Sequence, residues 1–173
     1  MRIVTTPMCE EVVKLAGIKE YKVNKNPDLE EGDLAILLSE SKVNMDSIAI
    51  KLNTPKQLAQ SIREVSKLTD HELSDDEILE FFNDYNYCLK YLKNHDNSHV
   101  KVKVISNFLT DIVDNFGFEK MDENYDYVIY PDYLKEKVIN EEVKLIEIPS
   151  HNFVSRNPFE RIEKRYEILE KLI

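Results

Sequence analysis

The feature that most constrains the fold is the unbroken apolar run Leu34–Leu38. Five residues are too few for a confident helix, whereas a strand that is apolar at every position is typically buried on both faces. Such a strand lies inside a parallel sheet, because the crossover helices of a parallel sheet cover both of its faces. The run therefore predicts an α/β protein.

The rest of the chain alternates predicted strands and helices in a way that fits this class. Helix starts are marked by threonine, serine or asparagine caps, several of them followed by proline, and helix ends by Gly17 and Gly117. The pattern predicts a three-layer sandwich, with a mostly parallel central sheet and helices on both faces, in a single domain of residues 1–173. The predicted strands are 2–5, 18–23 (at an edge), 34–38, 47–52, 100–105, 127–130 and 143–148, and the predicted helices are 7–16, 55–68, 75–93, 107–116, 132–139 and 158–172.

Composition and charge exclude several classes of protein. The chain has 173 residues, a net charge of −10 and 42% apolar residues, which is typical of one globular domain whose surface repels nucleic acids and anionic membranes. Two cysteines do not make a disulfide framework, and no apolar run is long enough to span a membrane. The phosphate-binding fingerprints G-x-G-x-x-G and Walker A are absent from the sequence. We therefore expect a cytoplasmic protein without a nucleic-acid or membrane partner.

Cys9 is the candidate nucleophile, and the residues around it allow two interpretations. If Thr6 caps a helix that begins at Pro7, Cys9 lies in its first turn, where the helix dipole lowers the pKa of a thiol. Cys9 also falls on an apolar stripe with Val12, and free cysteines are among the most buried residues. The adjacent Glu10 opposes thiolate formation. Residue chemistry alone therefore leaves it open whether Cys9 is a reactive cysteine or an inert cysteine of the core.

The opening Thr5-Thr6-Pro7-Met8-Cys9-Glu10-Glu11, in a chain of this size, resembles the HcgF family of methanogenic archaea. The resemblance implies biosynthesis of the iron-guanylylpyridinol (FeGP) cofactor of [Fe]-hydrogenase. It implies that Cys9 accepts the adenylylated guanylylpyridinol carboxyl group as a thioester and releases AMP. The implied partners are guanylylpyridinol or its AMP ester and an adenylylating E1-like enzyme, and the protein itself is expected to need no cofactor.

Polar residues follow the predicted strands, where parallel sheets bind ligands. The candidate ligand-binding residues are Thr6, Met8, Asn53, Ser150, His151, Ser155 and Arg156. Ser155 and Arg156 precede the last helix and could hold a phosphate at its N-terminus, and His151 could shuttle a proton. The same residue types are also ordinary turn formers and caps, and Arg156 could pair with a surface acid. The histidines lack ligand spacing, so no metal site is expected.

Three functions follow from these observations as hypotheses. The first is the cysteine acyl acceptor implied by the resemblance, an enzyme of thiol-dependent acyl transfer. The alternative is a non-catalytic module that binds a nucleotide-like small molecule at the strand ends. The third is an interaction protein that uses its acidic surface and its aromatic helix, where Tyr91 could extend a homodimer contact.

Overall fold

The computed structural model describes residues 1–150 and 154–173, and in them eight strands form two four-stranded sheets. Every strand pair in both sheets is parallel. The α/β class and the parallel pairing predicted from the sequence are confirmed, with the strands divided equally between the two sheets. The strands are β1 Ile3–Thr5, β2 Lys22–Val23, β3 Leu34–Leu38, β4 Ser47–Ile50, β5 Lys101–Val104, β6 Glu119–Lys120, β7 Tyr127–Pro131 and β8 Lys144–Ile148.

The first sheet has the order β2-β1-β3-β4 and the second the order β6-β5-β7-β8. Leu34–Leu38 lies between β1 and β4, and its three middle residues are buried, as the apolar run predicted. The two-residue strand β2 lies at an edge, where a partly polar strand was expected. If the four strands of each sheet are numbered 1 to 4 along the chain, both sheets have the order 2-1-3-4. The fold therefore repeats its topology, although no internal repeat is visible in the sequence.

Seven α-helices surround the sheets in the described residues. They are α1 Glu10–Leu15, α2 Pro55–Ser66, α3 Asp75–Glu80, α4 Asn86–Lys90, α5 Asn107–Phe116, α6 Lys135–Val138 and α7 Pro158–Glu170. Thr54 and Ser74 cap α2 and α3, as threonine and serine caps were expected to do, and each accepts from the N–H three residues on in a capping box. Gly117 ends α5 with a left-handed φ of 74°.

Two predicted helices differ from the structure. The predicted helix 75–93 is divided into α3 and α4, because the break lets Phe82 and Tyr85 both pack on Phe159, with ring centroids 5.0 and 4.7 Å away. The first helix begins at Glu10 and not at Pro7, because Thr6 closes a turn in which its carbonyl accepts the Cys9 N–H at 3.0 Å. Cys9 is consequently the N-cap of α1, and Thr6 is not.

One hydrophobic cluster spans both sheets. It contains Ile36 of the first sheet, Val102 and Ile129 of the second, and Tyr166 of α7. Helix α7 also packs against α2 and α4, so it joins the two halves. None of the helices in the described ranges is long and apolar enough to cross a membrane.

Candidate functional site

The carboxyl ends of strands from both sheets surround a cleft of about 610 Å³, which we call the first cleft. Parallel strands present their carboxyl ends at one edge of a sheet, so the residues after several strands converge there. β3, β4, β5, β7 and β8 all contribute. The lining residues are Ser39, Glu40, Lys51, Asn53, Ser106, Asn107, Phe108, Asp111, Tyr133, Leu134 and Ser150.

A second cleft of about 560 Å³ lies beside the first and shares Glu40 with it. Its walls are the turn after β1, the end of β3 and the segment before α7. The lining residues are Thr6, Pro7, Met8, Lys25, Leu38, Glu40, Ser41, Val154 and Arg156. The strand ends that the sequence singled out therefore do form concave surfaces.

The predicted ligand-binding residues are divided between these clefts. Thr6, Met8 and Arg156 line the second cleft, and Asn53 and Ser150 line the first. Ser155 lines neither cleft, because its hydroxyl pairs with Glu160 and accepts the Asn157 N–H at 3.1 Å in the turn that begins α7. His151, predicted as a proton shuttle, lies outside the described residues.

Asp111 of α5 ties the two halves together at the first cleft. Its Oδ2 accepts from Asn53 Nδ2 at 3.1 Å and from Gln57 Nε2 at 3.0 Å, and Lys51 Nζ lies 3.6 Å away. Asn53 also donates its backbone N–H to Gln57 Oε1. One hydrogen of Asn53 Nδ2 is therefore engaged by the protein itself, and the side chain still offers a ligand its second amide hydrogen and its amide oxygen.

The thiol of Cys9 is buried and lines neither cleft. Burial raises the pKa of Cys9 to about 11, and a hydrogen bond with Thr6 and the charge of Arg161 only partly oppose that rise. The sequence left two alternatives open, a lowered pKa at a helix N-terminus and an inert core cysteine. The structure agrees with the second, because α1 is short and Cys9 packs into the core, where desolvation disfavours the thiolate.

Two arginines on the inner face of α7 were not singled out from the sequence. Arg161 and Arg165 are 2% and 1% exposed, and burial lowers the pKa of each to about 10, so both stay cationic at neutral pH. Arg161 Nη1 donates to the carbonyls of Ser155 and Arg156 at 3.2 and 2.8 Å, which fixes the segment beside the second cleft. The detectable signal was their four-residue spacing on the same stripe as Ile162.

Arg165 is held behind the wall of the first cleft. Its Nε donates to the Pro149 carbonyl at 3.0 Å, and its Cζ lies 5.0 Å from the centroid of the Phe108 ring. Its Nη2 is buried and has no hydrogen-bond partner among the described residues. Asp132, whose charge acts on Arg165, accepts the Ser150 N–H through Oδ2, and within the same residues its Oδ1 lacks a partner.

Ser106, at the mouth of the first cleft, has a strained backbone. Its φ of 148° and ψ of 145° lie in a region that residues other than glycine rarely adopt. It is the N-cap of α5, but its side chain makes no capping hydrogen bond. Strain of this kind is frequent at binding sites.

The described residues contain no group of three or more histidine, cysteine or acidic side chains arranged to hold a metal ion. His71 pairs with Glu77, and His95 contacts the Lys90 carbonyl; neither histidine lines either cleft.

Comparisons with known proteins give structural matches only, since no family model and no curated protein matches the chain. A Mn-bound periplasmic metal binding protein from Candidatus Liberibacter asiaticus has a TM-score of 0.59 at 7% identity, with all of both chains covered. The SBP FpvC of P. aeruginosa, in complex with a Ni²⁺ ion, has a TM-score of 0.59 at 13% identity, covering 100% of this chain and 96% of the other. The periplasmic vitamin B12 binding protein BtuF of Vibrio cholerae has a TM-score of 0.55 at 11% identity, covering 99% and 96%. At these identities the likeness shows the fold.

These findings correct the first functional hypothesis. The prediction of a cysteine acyl acceptor in FeGP cofactor biosynthesis was wrong, because the similar structures are periplasmic binding proteins and Cys9 is buried with a raised pKa. The thioester and the [Fe]-hydrogenase assignment are withdrawn with it. The E1-like partner, the homodimer and the cytoplasmic location stay predictions.

Proposed function

We propose that this protein is a non-catalytic binding module that holds a small molecule in the first cleft. The observation that carries the proposal is the convergence of strand ends from two parallel sheets on one cleft of about 610 Å³. Ligands of open α/β sheets bind beyond the carboxyl ends of the strands, and small-molecule sites typically enclose roughly 300–1,000 Å³. Both the place and the size suit an organic ligand.

The polar groups of the first cleft support a ligand with several hydrogen-bonding atoms. Asn53 and Ser150 line it from opposite sheets, and the flat ring of Phe108 forms part of its wall. The structurally similar proteins support binding as the activity, since they are a Mn-bound protein, a complex with Ni²⁺ and a vitamin B12 binding protein. An organic ligand fits better than a bare metal ion, because the described ranges hold no metal-ligand group.

A ligand panel tests the proposal through thermal unfolding. The panel contains MnCl₂, NiCl₂, vitamin B12, AMP, adenosine, GMP, guanosine, glycerol 3-phosphate and glycerol. A compound that binds the folded state raises Tm, because it adds to the free energy of unfolding. The addition is about 2.7 kcal/mol when the compound is present at one hundred times its Kd. We expect at least one organic member of the panel to raise Tm.

Two variants locate the binding. Asn107→Trp places a large ring in the first cleft from the exposed first residue of α5, and we expect it to abolish the Tm shift. Asn83→Trp makes the same change at an exposed position outside both clefts and should keep the shift. No shift with any compound, or a shift that survives Asn107→Trp, would refute binding in this cleft.

A further inference from the structure

We propose that the first cleft binds an uncharged heteroaromatic ring, which packs on Tyr133 and Phe108 and presents its polar edge to Asn53. This proposal rests on the proposed function and deepens it, because it names the chemical class of the ligand and the residues that select it. Nucleosides and small heterocyclic amides belong to this class.

The first observation is the exposure of Tyr133 beside the cleft. Among the aromatic residues that the structure describes, Tyr133 alone is exposed, with 62% of its surface open to solvent. Within the same residues its hydroxyl makes no hydrogen bond, and its ring packs on no other aromatic ring. It lines the first cleft, so a ligand bound there can cover the ring and remove its apolar surface from water.

The second observation is that another aromatic residue, Phe108, lines the same cleft. Phe108 follows β5 and Tyr133 follows β7, and these two strands are paired neighbours in the second sheet. Paired strands lie about 4.8 Å apart, so the segments that leave their carboxyl ends begin close together. Arg165 lies over the Phe108 ring, with Cζ 5.0 Å from the ring centroid, and holds that ring in place. The two aromatic residues therefore give one side of the cleft a surface on which a flat ring can stack.

The third observation is the contrast between the two halves of the chain at the cleft. The lining residues with large apolar surfaces are Phe108, Tyr133 and Leu134, and all three come from the second half. The first half contributes only polar and charged residues, which are Ser39, Glu40, Lys51 and Asn53. A matching ligand has an apolar face and polar atoms along its rim. A heteroaromatic ring has this distribution, because its faces are apolar and its nitrogen and oxygen atoms lie at its edge.

Asn53 has the groups that can bind such an edge. Its Nδ2 donates one hydrogen to Asp111 Oδ2 at 3.1 Å, which fixes the orientation of the amide. In the part of the chain that the structure describes, the amide oxygen of Asn53 makes no hydrogen bond. A donor and an acceptor side by side complement the donor and acceptor at the edge of a heterocycle, as amide side chains do with adenine.

The charges at the cleft favour a ring without a negative charge. The charged lining residues are Glu40, Lys51 and Asp111, and Lys51 Nζ lies 3.6 Å from Asp111 Oδ2. These three residues comprise two acids and one base, in a protein whose net charge is −10. An anionic ligand meets repulsion here, whereas a neutral ring does not.

Titration with neutral probes, with and without a flat ring, tests the proposal. The flat probes are adenosine, guanosine, cytidine and nicotinamide, and the others are ribose, glycerol and myo-inositol, which have hydroxyl groups but no aromatic ring. Calorimetry and Tm measure binding, and we expect at least one flat probe to bind and none of the others. Proton NMR gives an independent readout, because protons that lie over the face of an aromatic ring shift upfield.

Two variants of Tyr133 test the stacking itself. Tyr133→Leu keeps an apolar side chain but removes the aromatic ring, and the exposure of this residue makes the change compatible with folding. We expect it to weaken binding of the flat probe about tenfold and to reduce the upfield shift. Tyr133→Phe is the matched control, which keeps the ring and should bind as the wild type does.

Three results would overturn this proposal: no flat probe binds, Tyr133→Leu binds the flat probe as tightly as the wild type does, or Tyr133→Phe weakens binding as much as Tyr133→Leu. The cleft variant Asn107→Trp separates these failures from failure of the proposed function. If Asn107→Trp blocks a probe that Tyr133→Leu still binds fully, the cleft binds a small molecule but not by ring stacking. If Asn107→Trp blocks no compound, the proposed function itself fails.

Discussion

At Cys9 the reactive form of the side chain is the thiolate, and burial in the core disfavours that form. At Arg165 the charged form persists after burial, because a guanidinium is hard to deprotonate, and the charge of Asp132 acts on it there. Burial therefore suppresses the reactive form of one side chain and leaves the charge of the other intact. Residue type singled out Cys9, whereas only the packing around each side chain shows the effect of its burial.

Cys9 gives a prediction about pH. Because burial raises the pKa of its thiol from 9.0 to about 11, the folded protein retains a proton that the unfolded chain releases. The stabilisation is therefore complete below pH 9 and is lost as the pH rises towards 11, with about 1 kcal/mol lost by pH 10. Urea unfolding from pH 8 to 10 should show a decline that is smaller in Cys9→Ala. An equal decline in both proteins would contradict a raised pKa at Cys9.

Arg165 gives a prediction about stability without ligand. Arg165→Met removes a buried, incompletely paired charge and keeps much of the contact with Phe108, so we expect the free energy of unfolding to rise by about 1 kcal/mol. Denaturation by urea measures the change. A loss of more than about 2 kcal/mol would mean that the Pro149 hydrogen bond makes Arg165 a structural residue.

At the scale of helices and strands, the ends of the elements depend on single residues. Gly17 and Gly117 both have positive φ, of 92° and 74°, but their surroundings differ. A Cβ at Gly17 would meet nothing within 4 Å, whereas one at Gly117 would lie 1.9 Å from the His95 carbonyl oxygen. Substituting each glycine in turn therefore separates the cost of backbone strain, which both share, from the cost of a steric collision, which only Gly117 has.

We predict that Gly17→Ala costs about 1 kcal/mol, which is the cost of the left-handed conformation alone. Gly117→Ala should cost several kilocalories per mole more, because the 94–97 segment must move away from the end of α5. Thermal and urea unfolding of the two variants give the comparison. Similar losses in both would show that the His95 segment yields easily.

Elements that depend on local chemistry were predictable from the sequence, and those that depend on distant contacts were not. The run Leu34–Leu38 and the caps Thr54 and Ser74 behave as their residue types require. The division of helix 75–93 could not be predicted, because it depends on Phe159, far along the chain. Strand β6, Glu119–Lys120, is polar and exists through pairing with β5, so it carries no pattern of its own.

The candidate site shows the same division between local and distant causes. Asn53 and Ser150 follow strands and both line the first cleft, and their place at this edge follows from strand direction in a parallel sheet. Arg165 was not found, because a charged residue within an amphipathic helix is normally read as surface. Its burial follows from contact with Phe108 and Pro149, which the helix pattern does not reveal.

At the scale of the whole molecule, the hydrophobic cluster that spans both sheets predicts how they unfold. The cluster joins Ile36 of the first sheet to Ile129 of the second, and Tyr166 of α7 lies within it. We expect one cooperative transition in which far-ultraviolet and near-ultraviolet circular dichroism change together and the calorimetric enthalpy equals the van't Hoff enthalpy. Two separated transitions would show that each sheet unfolds independently, against the predicted single domain.

The division of the strands also has a consequence for synthesis. All strands of the first sheet lie within residues 3–50, and all strands of the second lie within residues 101–148. In the part of the chain that the structure describes, no strand pair joins the two halves, so the ribosome can release a complete first sheet before it translates the second. Parallel pairing requires long loops to close, which slows folding, but here each closure stays within one half of the chain. We therefore expect the nascent chain to gain its first sheet early, and only the joining of the halves to wait for α7.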